Sequence, residues 1–311
     1  MRDVAGGLGL HSAGTFQYIR PEIPGFILGS FIATYAFREF RARGGSSPII
    51  RFVLGMFLMV GALTFVGCAF RVHVRMASGD LNAILLGLPG LITGVLVGVF
   101  FLKRGFTLSR ATVLSTPTGW IFPLMMLGLL LLVITRPDFI NFSTEGFGAQ
   151  HAAIGISLGA GLVVGFLAQR TRLCFTGAYR EIVLSRNTWV LTVVVSFIIA
   201  AVVFNILFGQ FHLSWAGAPD GHSDHLWNFL GLFLVGLAAI ELNGCPFRQM
   251  IWSGEGNTDA AITVLGMLVG GALMRGWNLA ACGNTPPVGG MIAVGVGIAF
   301  CIAVGLYFKG K

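Results

Sequence analysis

The stretch GCPFRQMIWSGEGN, residues 244–257, decides the fold because it interrupts an apolar run with a thiol, a proline, a guanidinium and a carboxylate. It has a twin in GCAFRVHVRMASGDLNA, residues 67–83. Both contain G-C-x-F-R, and Cys245 follows Cys68 by 177 positions. A shared pentapeptide of this composition, placed after an apolar run in each case, points to an internal repeat.

The surrounding composition is that of a membrane protein. The chain has 311 residues, of which 55% are hydrophobic and 10% charged, and its mean hydropathy is +0.84. A helix needs about 17–25 apolar residues to cross about 30 Å of hydrocarbon. Nine candidate segments meet that need, near 22–38, 50–67, 81–102, 117–135, 151–168, 188–208, 227–244, 258–274 and 287–308. The sequence therefore predicts an all-α polytopic membrane protein with about nine transmembrane helices and short re-entrant or half helices.

Two further matches extend the repeat. KRGFTLSR (103–110) is similar to MRGWNLAA (274–281), and STPTG (115–119) is similar to NTPPVGG (284–290). Five predicted helices separate the two G-C-x-F-R copies, so the second copy is expected to run through the membrane in the opposite sense. An inverted-topology repeat of this kind brings broken helices together near the bilayer midplane. We expect a first half at 1–140 and a second at 150–311, together forming one membrane domain.

The first half begins in the middle of its repeat. Residues 1–5 align with residues 179–183, so the equivalent of 151–178 is missing from the first copy. We expect a truncated N-terminus, or a first repeat that lacks its N-terminal helix. Glycine spacing predicts close helix packing at Gly90, Gly94 and Gly98, and also at Gly155 and Gly159.

Basic residues are distributed as a topology signal. They flank alternate connections, and the connection at 209–226 has none. The positive-inside rule then places the 38–51 connection and the C-terminus, with Lys309 and Lys311, in the cytoplasm. The net charge of +8 is explained by this placement, so nucleic acid is not an expected partner.

Several of these motifs resemble a known family. RTRLCFTGAYREIVL (170–184), the paired G-C-x-F-R motifs and QYIRPEIPGFILGSFIATYAF (17–37) are similar to the YeeE/YedE family of sulfur-compound transporters, and most to the YedE-type proteins of selenium metabolism. The resemblance implies uptake of thiosulfate or a selenium species past cysteines at a constriction in a prokaryotic inner membrane. It also implies a TusA-like sulfur or selenium carrier on the cytoplasmic side.

Thiols are the principal candidate site residues. Matching positions in the repeat favour Cys68 and Cys245 as pathway residues, and we add Cys174, which lies between arginines, and Cys282, beside a helix breaker. A thiol is a weak donor and a polarizable partner, so it suits a soft sulfur or selenium anion that must be released again. We interpret Cys301 as a packing residue.

Charged and polar groups near the thiols are the secondary candidates. Four arginines are expected to attract anions into a vestibule, or alternatively to set topology: Arg71, Arg248, Arg172 and Arg180. Four residues are candidates for proton transfer or polar support: Glu241, Asn243, Asn257 and Asp259. Asn257 and Asp259, with Asp80 and Asn82, also fit helix caps. The loop histidines are interpreted as solvated: His212, His222 and His225, near Asp220 and Asp224.

The sequence excludes some functions and leaves others open. It has no Walker motif and no C-x-x-C, so no ATP hydrolysis, metal or other cofactor is expected. The predicted function is transport of a small sulfur- or selenium-containing anion. The alternatives are a membrane sulfur or selenium transferase that forms a persulfide or selenosulfide on Cys245, and a structural membrane protein whose cysteines only pack.

Overall fold

The computed structural model describes residues 1–215 and 221–308, and almost all of its regular structure is helical. Asp220, Lys309 and Lys311 lie outside the described residues. The helices are α1 Arg2–Gly7, α2 Glu22–Ala36, α3 Pro48–Phe65, α4 Ala69–Ala77, α5 Leu88–Lys103, α6 Thr116–Thr135, α7 Ile154–Thr171, α8 Phe175–Ser185, α9 Trp189–Leu207, α10 His225–Glu241, α11 Pro246–Gly254, α12 Thr258–Gly276 and α13 Val288–Tyr307. A π-helical turn, Ala83–Gly87, precedes α5, and short 3₁₀ turns lie at Gly14–Phe16 and Gly146–Gly148. Two short strands, β1 Arg43–Gly44 and β2 Thr112–Val113, pair antiparallel.

Eight stretches of the described chain are long and apolar enough to cross a membrane. They are Pro48–Ala77, Ala83–Lys103, Thr116–Thr135, Ile154–Ser185, Trp189–Leu207, His225–Gly254, Thr258–Gly276 and Val288–Tyr307. The predicted all-α polytopic class is confirmed. The count of nine is one too high by this measure, because the segment predicted at 22–38 forms only the 15-residue α2. At a rise of 1.5 Å per residue, α2 is about 22 Å long, which is short of a straight crossing.

Three of the eight stretches consist of a long helix followed by a short one. The pairs are α3 with α4, α7 with α8, and α10 with α11. Each break coincides with one of the cysteine motifs at Cys68, Cys174 and Cys245. These short helices, α4, α8 and α11, agree with the prediction of short re-entrant or half helices.

The chain packs as two compact units. The first comprises residues 1–56, 109–172 and 248–277, and the second comprises residues 57–108, 173–247 and the chain from 278 onward. Each unit takes segments from both predicted repeat halves. The halves remain a prediction about duplication of the sequence.

In the first unit, glycines allow α2 and α7 to approach closely. A Cβ on Gly29 would lie 2.2 Å from the carbonyl oxygen of Leu162, and one on Gly165 would lie 2.3 Å from that of Phe26. The expectation that Gly155 and Gly159 pack closely is wrong, because a Cβ at either position meets nothing within 4 Å. The packed glycines of α7 lie on another face of the helix.

In the second unit, glycines of α5 contact α10. A Cβ on Gly90 would lie 2.4 Å from the carbonyl oxygen of Phe229, and one on Gly94 would lie 2.1 Å from that of Phe233. Gly98 contacts the side chain of Ile240 in the same way. The predicted close approach along Gly90, Gly94 and Gly98 is confirmed. It packs α5 closely against α10, as far as the polar C-terminal end of α10.

Candidate functional site

The three cysteine motifs share one backbone device. Each long helix is followed, within two residues of its end, by a residue with a left-handed backbone: Val66 (φ 61°), Arg172 (φ 55°) and Asn243 (φ 66°). Each of these residues lies two positions before a cysteine, and a short helix starts directly after that cysteine. Non-glycine residues rarely adopt this conformation because the Cβ crowds the backbone. The same uncommon turn therefore occurs at all three motifs.

The two G-C-x-F-R copies match in further detail. Helices α4 and α11 are nine residues each and begin 177 positions apart. Gly79 and Gly256, which end the corresponding turns, have φ values of 93° and 91°. At the next position Asp80 and Asn257 each accept a hydrogen bond from a backbone N–H three residues later, at 3.3 and 3.1 Å. The sequence similarity thus corresponds to the same local conformation.

Each motif places its thiol at a helix N-terminus. Cys68 is the N-cap residue of α4, Cys174 caps α8, and Cys245 immediately precedes the first residue of α11. The Cys174 Sγ accepts a hydrogen bond from the Gly177 N–H at 3.2 Å. The first N–H groups of a helix lack partners within the helix and carry a partial positive charge. This end of each short helix is suited to an anion.

Aromatic side chains bring the three motifs together inside the second unit. The ring of Phe70, two residues after Cys68, lies 5.4 Å from the ring of Phe175 and 5.4 Å from that of Phe247, between centroids. Phe175 and Phe247 lie 6.3 Å apart. Phe197 of α9 closes the cluster at 5.7 Å from Phe70 and 5.5 Å from Phe175. We call Phe70, Phe175, Phe197 and Phe247 the phenylalanine cluster.

The thiols themselves differ in exposure. Cys174 and Cys245 are buried, and the Cys174 side chain lies within hydrogen-bonding range of the Cys245 thiol and backbone. Cys68 is partly exposed, and all five cysteines are free thiols. Cys282 is exposed in the connection between α12 and α13, whereas Cys301 is fully buried in α13. The structure thus gathers the motifs of Cys68, Cys174 and Cys245 and leaves Cys282 in a loop.

The site also contains a buried histidine that no sequence motif indicates. His73 Nε2 lies 2.8 Å from the Tyr179 hydroxyl, and its Nδ1 lies 2.6 Å from the Ala69 carbonyl oxygen. The ring also packs 4.9 Å from that of Phe175. This bond ties α4 to α8 one turn beyond the two thiols. A lone histidine inside FRVHVRM carries no motif, so only the fold reveals the pairing.

The four predicted arginines are divided between the two units. In the second unit, Arg71 is exposed, and Arg180 binds the Asn243 side chain and lies 3.4 Å from the Glu181 carboxylate. In the first unit, Arg172 and Arg248 line a common cavity. Arg248 is buried and lies 3.2 Å from the Glu255 carboxylate. Burial raises the pKa of the Glu255 carboxyl, and the guanidinium of Arg248 opposes that shift.

The candidates for polar support have distinct surroundings. Asn257 caps α12, while Asp259 accepts hydrogen bonds from the backbone N–H groups of Gly45 at 2.8 Å and Ser46 at 3.2 Å. These contacts anchor a helix and a loop. Glu241 is buried at the end of α10, where neither carboxyl oxygen has a hydrogen bond of normal geometry within the described chain. The polar group beside it is the Cys301 thiol.

The interpretation of all three loop histidines as solvated is wrong for His222. Its side chain is buried, and Nε2 lies 2.8 Å from the Thr64 carbonyl oxygen. Burial lowers the pKa of His222, and the hydrogen bond to Thr64 opposes that shift. His212 and His225 are exposed as expected. Among the described residues, no three His, Cys, Asp or Glu side chains gather as a metal site.

Comparison with known proteins bears on part of this chain. Residues 170–306 match the model of a family described as Sulphur transport. The matched region includes Cys174 and Cys245 and begins after the first motif at Cys68. No curated protein matches the chain. The match supports a role in the transport of sulfur compounds and supports nothing finer.

Proposed function

We propose that this protein transports a small sulfur-containing anion across a membrane, along a path lined by Cys68, Cys174 and Cys245. The observation that carries the proposal is the gathering, around the phenylalanine cluster, of three helix N-termini that are each preceded by a cysteine. The family match over 170–306 supplies the chemical class of the substrate.

The chemistry of the three motifs suits passage of an anion. Helix N-termini offer partial positive charge without a mobile cation. Thiols donate weak hydrogen bonds and are polarizable, so they bind soft sulfur atoms without holding them tightly. Conduction requires binding that is favourable enough for entry and weak enough for release. Thiosulfate, with its terminal sulfur and its oxyanion end, fits both features, and a selenium analogue shares them.

The finer parts of the proposal rest on the sequence. The resemblance to YedE-type proteins favours a selenium species as an alternative cargo, and a TusA-like carrier as the cytoplasmic acceptor. The inverted repeat is supported by the matched conformations 177 residues apart. The inner membrane and a cytoplasmic C-terminus follow from the distribution of basic residues.

Uptake into proteoliposomes tests the transport proposal. We expect labelled thiosulfate to accumulate with the wild-type protein and to fall to background in the Cys68→Ala, Cys174→Ala and Cys245→Ala triple variant. Cys301→Ala is the matched control because it removes a buried thiol outside the three motifs. Selenite and selenide are tested in parallel. Accumulation at background level with the wild-type protein for every compound, or unchanged uptake in the triple variant, would contradict the proposal.

Mass spectrometry separates transport from the transferase alternative. In that reaction the Cys245 thiolate attacks the terminal sulfur of thiosulfate, a persulfide forms on the cysteine, and sulfite leaves with the electrons of the broken S–S bond. A hydrogen-bonded path leaves Cys245 unmodified after turnover. A persulfide that appears with turnover and is lost with Cys245→Ala would establish covalent transfer instead.

A further inference from the structure

The first unit contains a polar cavity whose lining includes no cysteine. Its volume is about 350 Å³. It is lined by Arg38, Glu39, Arg41, Arg43, Gln169, Arg172, Arg248 and Glu255. These residues come from the C-terminal ends of α2 and α7, from β1 and the residues before it, and from α11 with the turn that follows. We call this the arginine cavity.

The positive charge of the arginine cavity is only partly neutralised. Glu255 lies 3.2 Å from the Arg248 guanidinium and 3.8 Å from that of Arg43. The Glu39 carboxylate is engaged by the Gln169 amide at 2.8 Å and by Arg170 at 3.0 Å.

Three guanidiniums remain without a carboxylate. Within the described parts of the chain, Arg38, Arg41 and Arg172 form no ion pair, and all three are exposed at the cavity. Five arginines therefore face two carboxylates. The surplus of positive charge attracts anions and is concentrated in one concave site.

The cavity is held in shape by backbone contacts. The Arg41 N–H donates to the Glu255 carbonyl oxygen at 3.3 Å, and the Arg43 N–H donates to that of Gly256 at 3.2 Å. The buried Arg248 packs over the Trp252 ring at 5.1 Å from its centroid. The segment 38–43 is thus fastened to the turn after α11. Arginines fixed in this way lose less conformational freedom when they bind a ligand.

The lining also restricts the class of ligand. None of the eight side chains is aromatic or aliphatic, so the lining offers no surface for burying an apolar group. Guanidinium groups match the paired oxygens of sulfate-like and phosphate-like anions. Within the described chain the buried Gln169 Oε1 has no hydrogen-bond partner, which leaves an acceptor for water or for a protonated oxygen.

We propose that the arginine cavity, whose lining includes none of the three thiols, is a binding site for a small tetrahedral oxyanion. This rests on the proposed function in one respect, since the sulfur oxyanion that the protein transports is the occupant we assign. Inorganic phosphate shares the chemistry, and the experiment distinguishes the two. In sequence, Arg172 precedes Cys174 by two positions and Arg248 follows Cys245 by three.

Equilibrium binding to the purified full chain tests the site. Labelled thiosulfate, sulfate and phosphate are titrated against wild type, against the three-cysteine variant, and against the Arg38→Gln, Arg41→Gln and Arg172→Gln triple variant. Arg110→Gln, Arg136→Gln and Arg186→Gln form the matched control, because these arginines are also exposed but do not line the cavity. Size-exclusion profiles and thermal unfolding establish that each variant is folded. If the glutamine variant fails to fold, a variant with lysine at the same three cavity positions replaces it, because lysine preserves the charge.

The expected result separates the two sites. Thiosulfate binding to the cavity survives in the three-cysteine variant and weakens at least about 30-fold in the arginine variant, from roughly a threefold loss for each exposed charge. It also weakens as ionic strength rises. The lysine variant retains part of the affinity, because it keeps the charge and loses the forked geometry.

Other outcomes have definite meanings. Equal binding in the arginine and control variants overturns the proposal, and so does binding that disappears with the cysteines alone. If phosphate binds and thiosulfate does not, the cavity is an oxyanion site, but the transported anion is not its occupant. This conclusion holds whatever the uptake assay shows. Binding of an acidic peptide in the absence of any small oxyanion overturns the proposal in favour of a protein partner.

Discussion

Replacement of Phe70 by alanine is the sharpest test of how the thiols are assembled. Phe70 contacts three rings of the phenylalanine cluster, at 5.4, 5.4 and 5.7 Å between centroids. Each aromatic pair contributes about 0.5–1.5 kcal/mol beyond the burial of area, so the three together contribute roughly 3 kcal/mol. Loss of the buried area of this half-buried ring adds to that sum, and Phe→Ala changes cost about 3–5 kcal/mol in total. The expected loss of unfolding free energy is therefore about 3–5 kcal/mol.

The functional effect of Phe70→Ala is expected to exceed its effect on stability. The ring follows Cys68 by two residues and links the start of α4 to the motifs of Cys174 and Cys245. A shift of about 1 Å in a binding geometry is enough to cost up to about 100-fold in rate. We expect the initial rate of thiosulfate uptake to fall about 10- to 100-fold at a temperature where the protein remains folded. Phe70→Leu, which keeps most of the volume, should lose less.

The control for Phe70 is another stacked phenylalanine of the same unit. Phe208 lies 6.1 Å from Phe204, and its side chain is 70% exposed. Phe208→Ala should leave uptake within about twofold of wild type, because the pair is exposed and contacts no cysteine motif. Wild-type uptake by a folded Phe70→Ala protein would refute the idea that the cluster positions the thiols. An equal loss in Phe208→Ala would refute it as well.

Three further changes probe separate features. Oxidation with copper phenanthroline should form a disulfide between Cys174 and Cys245, which mass spectrometry detects. The disulfide should stop uptake until a reductant is added. Failure of this disulfide to form under conditions that oxidise exposed thiols would contradict the contact between the two cysteines. Gly94→Ala should lower the unfolding temperature, at a cost of about 1–3 kcal/mol, because the new Cβ meets a carbonyl oxygen at 2.1 Å. Gly128→Ala, where nothing lies within 4 Å, should not. Because burial lowers the pKa of His222, its contribution to stability is present above the unfolded pKa of about 6.5 and is lost as pH falls through the folded pKa. His222→Gln should therefore flatten the decline in unfolding temperature below pH 6.5.

The membrane helices were predictable because bilayer thickness imposes a long apolar signal on the sequence. The segment predicted at 258–274 is α12, Thr258–Gly276, and the one predicted at 117–135 is α6, Thr116–Thr135. Their ends differ by no more than two residues because polar residues stop the signal abruptly. By contrast, the segment predicted at 22–38 has the hydropathy of a membrane span, but its helix, α2, has only 15 residues. The length of α2 depends on where the chain turns.

The candidate site was predictable only in outline. Repetition of G-C-x-F-R pointed to Cys68 and Cys245, but the turn they share with Cys174 is invisible in the sequence. Its left-handed residues are a valine, an arginine and an asparagine, which have no side-chain property in common. In the phenylalanine cluster, Phe70 contacts rings that follow it by 105 and 177 positions in the sequence, and the buried His222 contacts a carbonyl group of α3. Such contacts arise from packing, and periodicity alone does not encode them.

The combination of thiols and helix ends along the proposed path would favour passage of an anion over its retention. A macrodipole places about half a positive charge at each helix N-terminus, so three N-termini together offer an anion roughly one and a half charges, fixed in position. A guanidinium in the same low-dielectric surroundings would bind an oxyanion through strong paired hydrogen bonds and retain it. Thiols are weak donors, so they add selectivity for sulfur while the binding energy at each step stays small. On this argument, replacing Cys174 by serine, which donates a stronger hydrogen bond and lacks a polarizable sulfur, should slow thiosulfate uptake even though the polar contact is preserved. Faster uptake in that variant would show that hydrogen bonding, and not the softness of sulfur, selects the substrate.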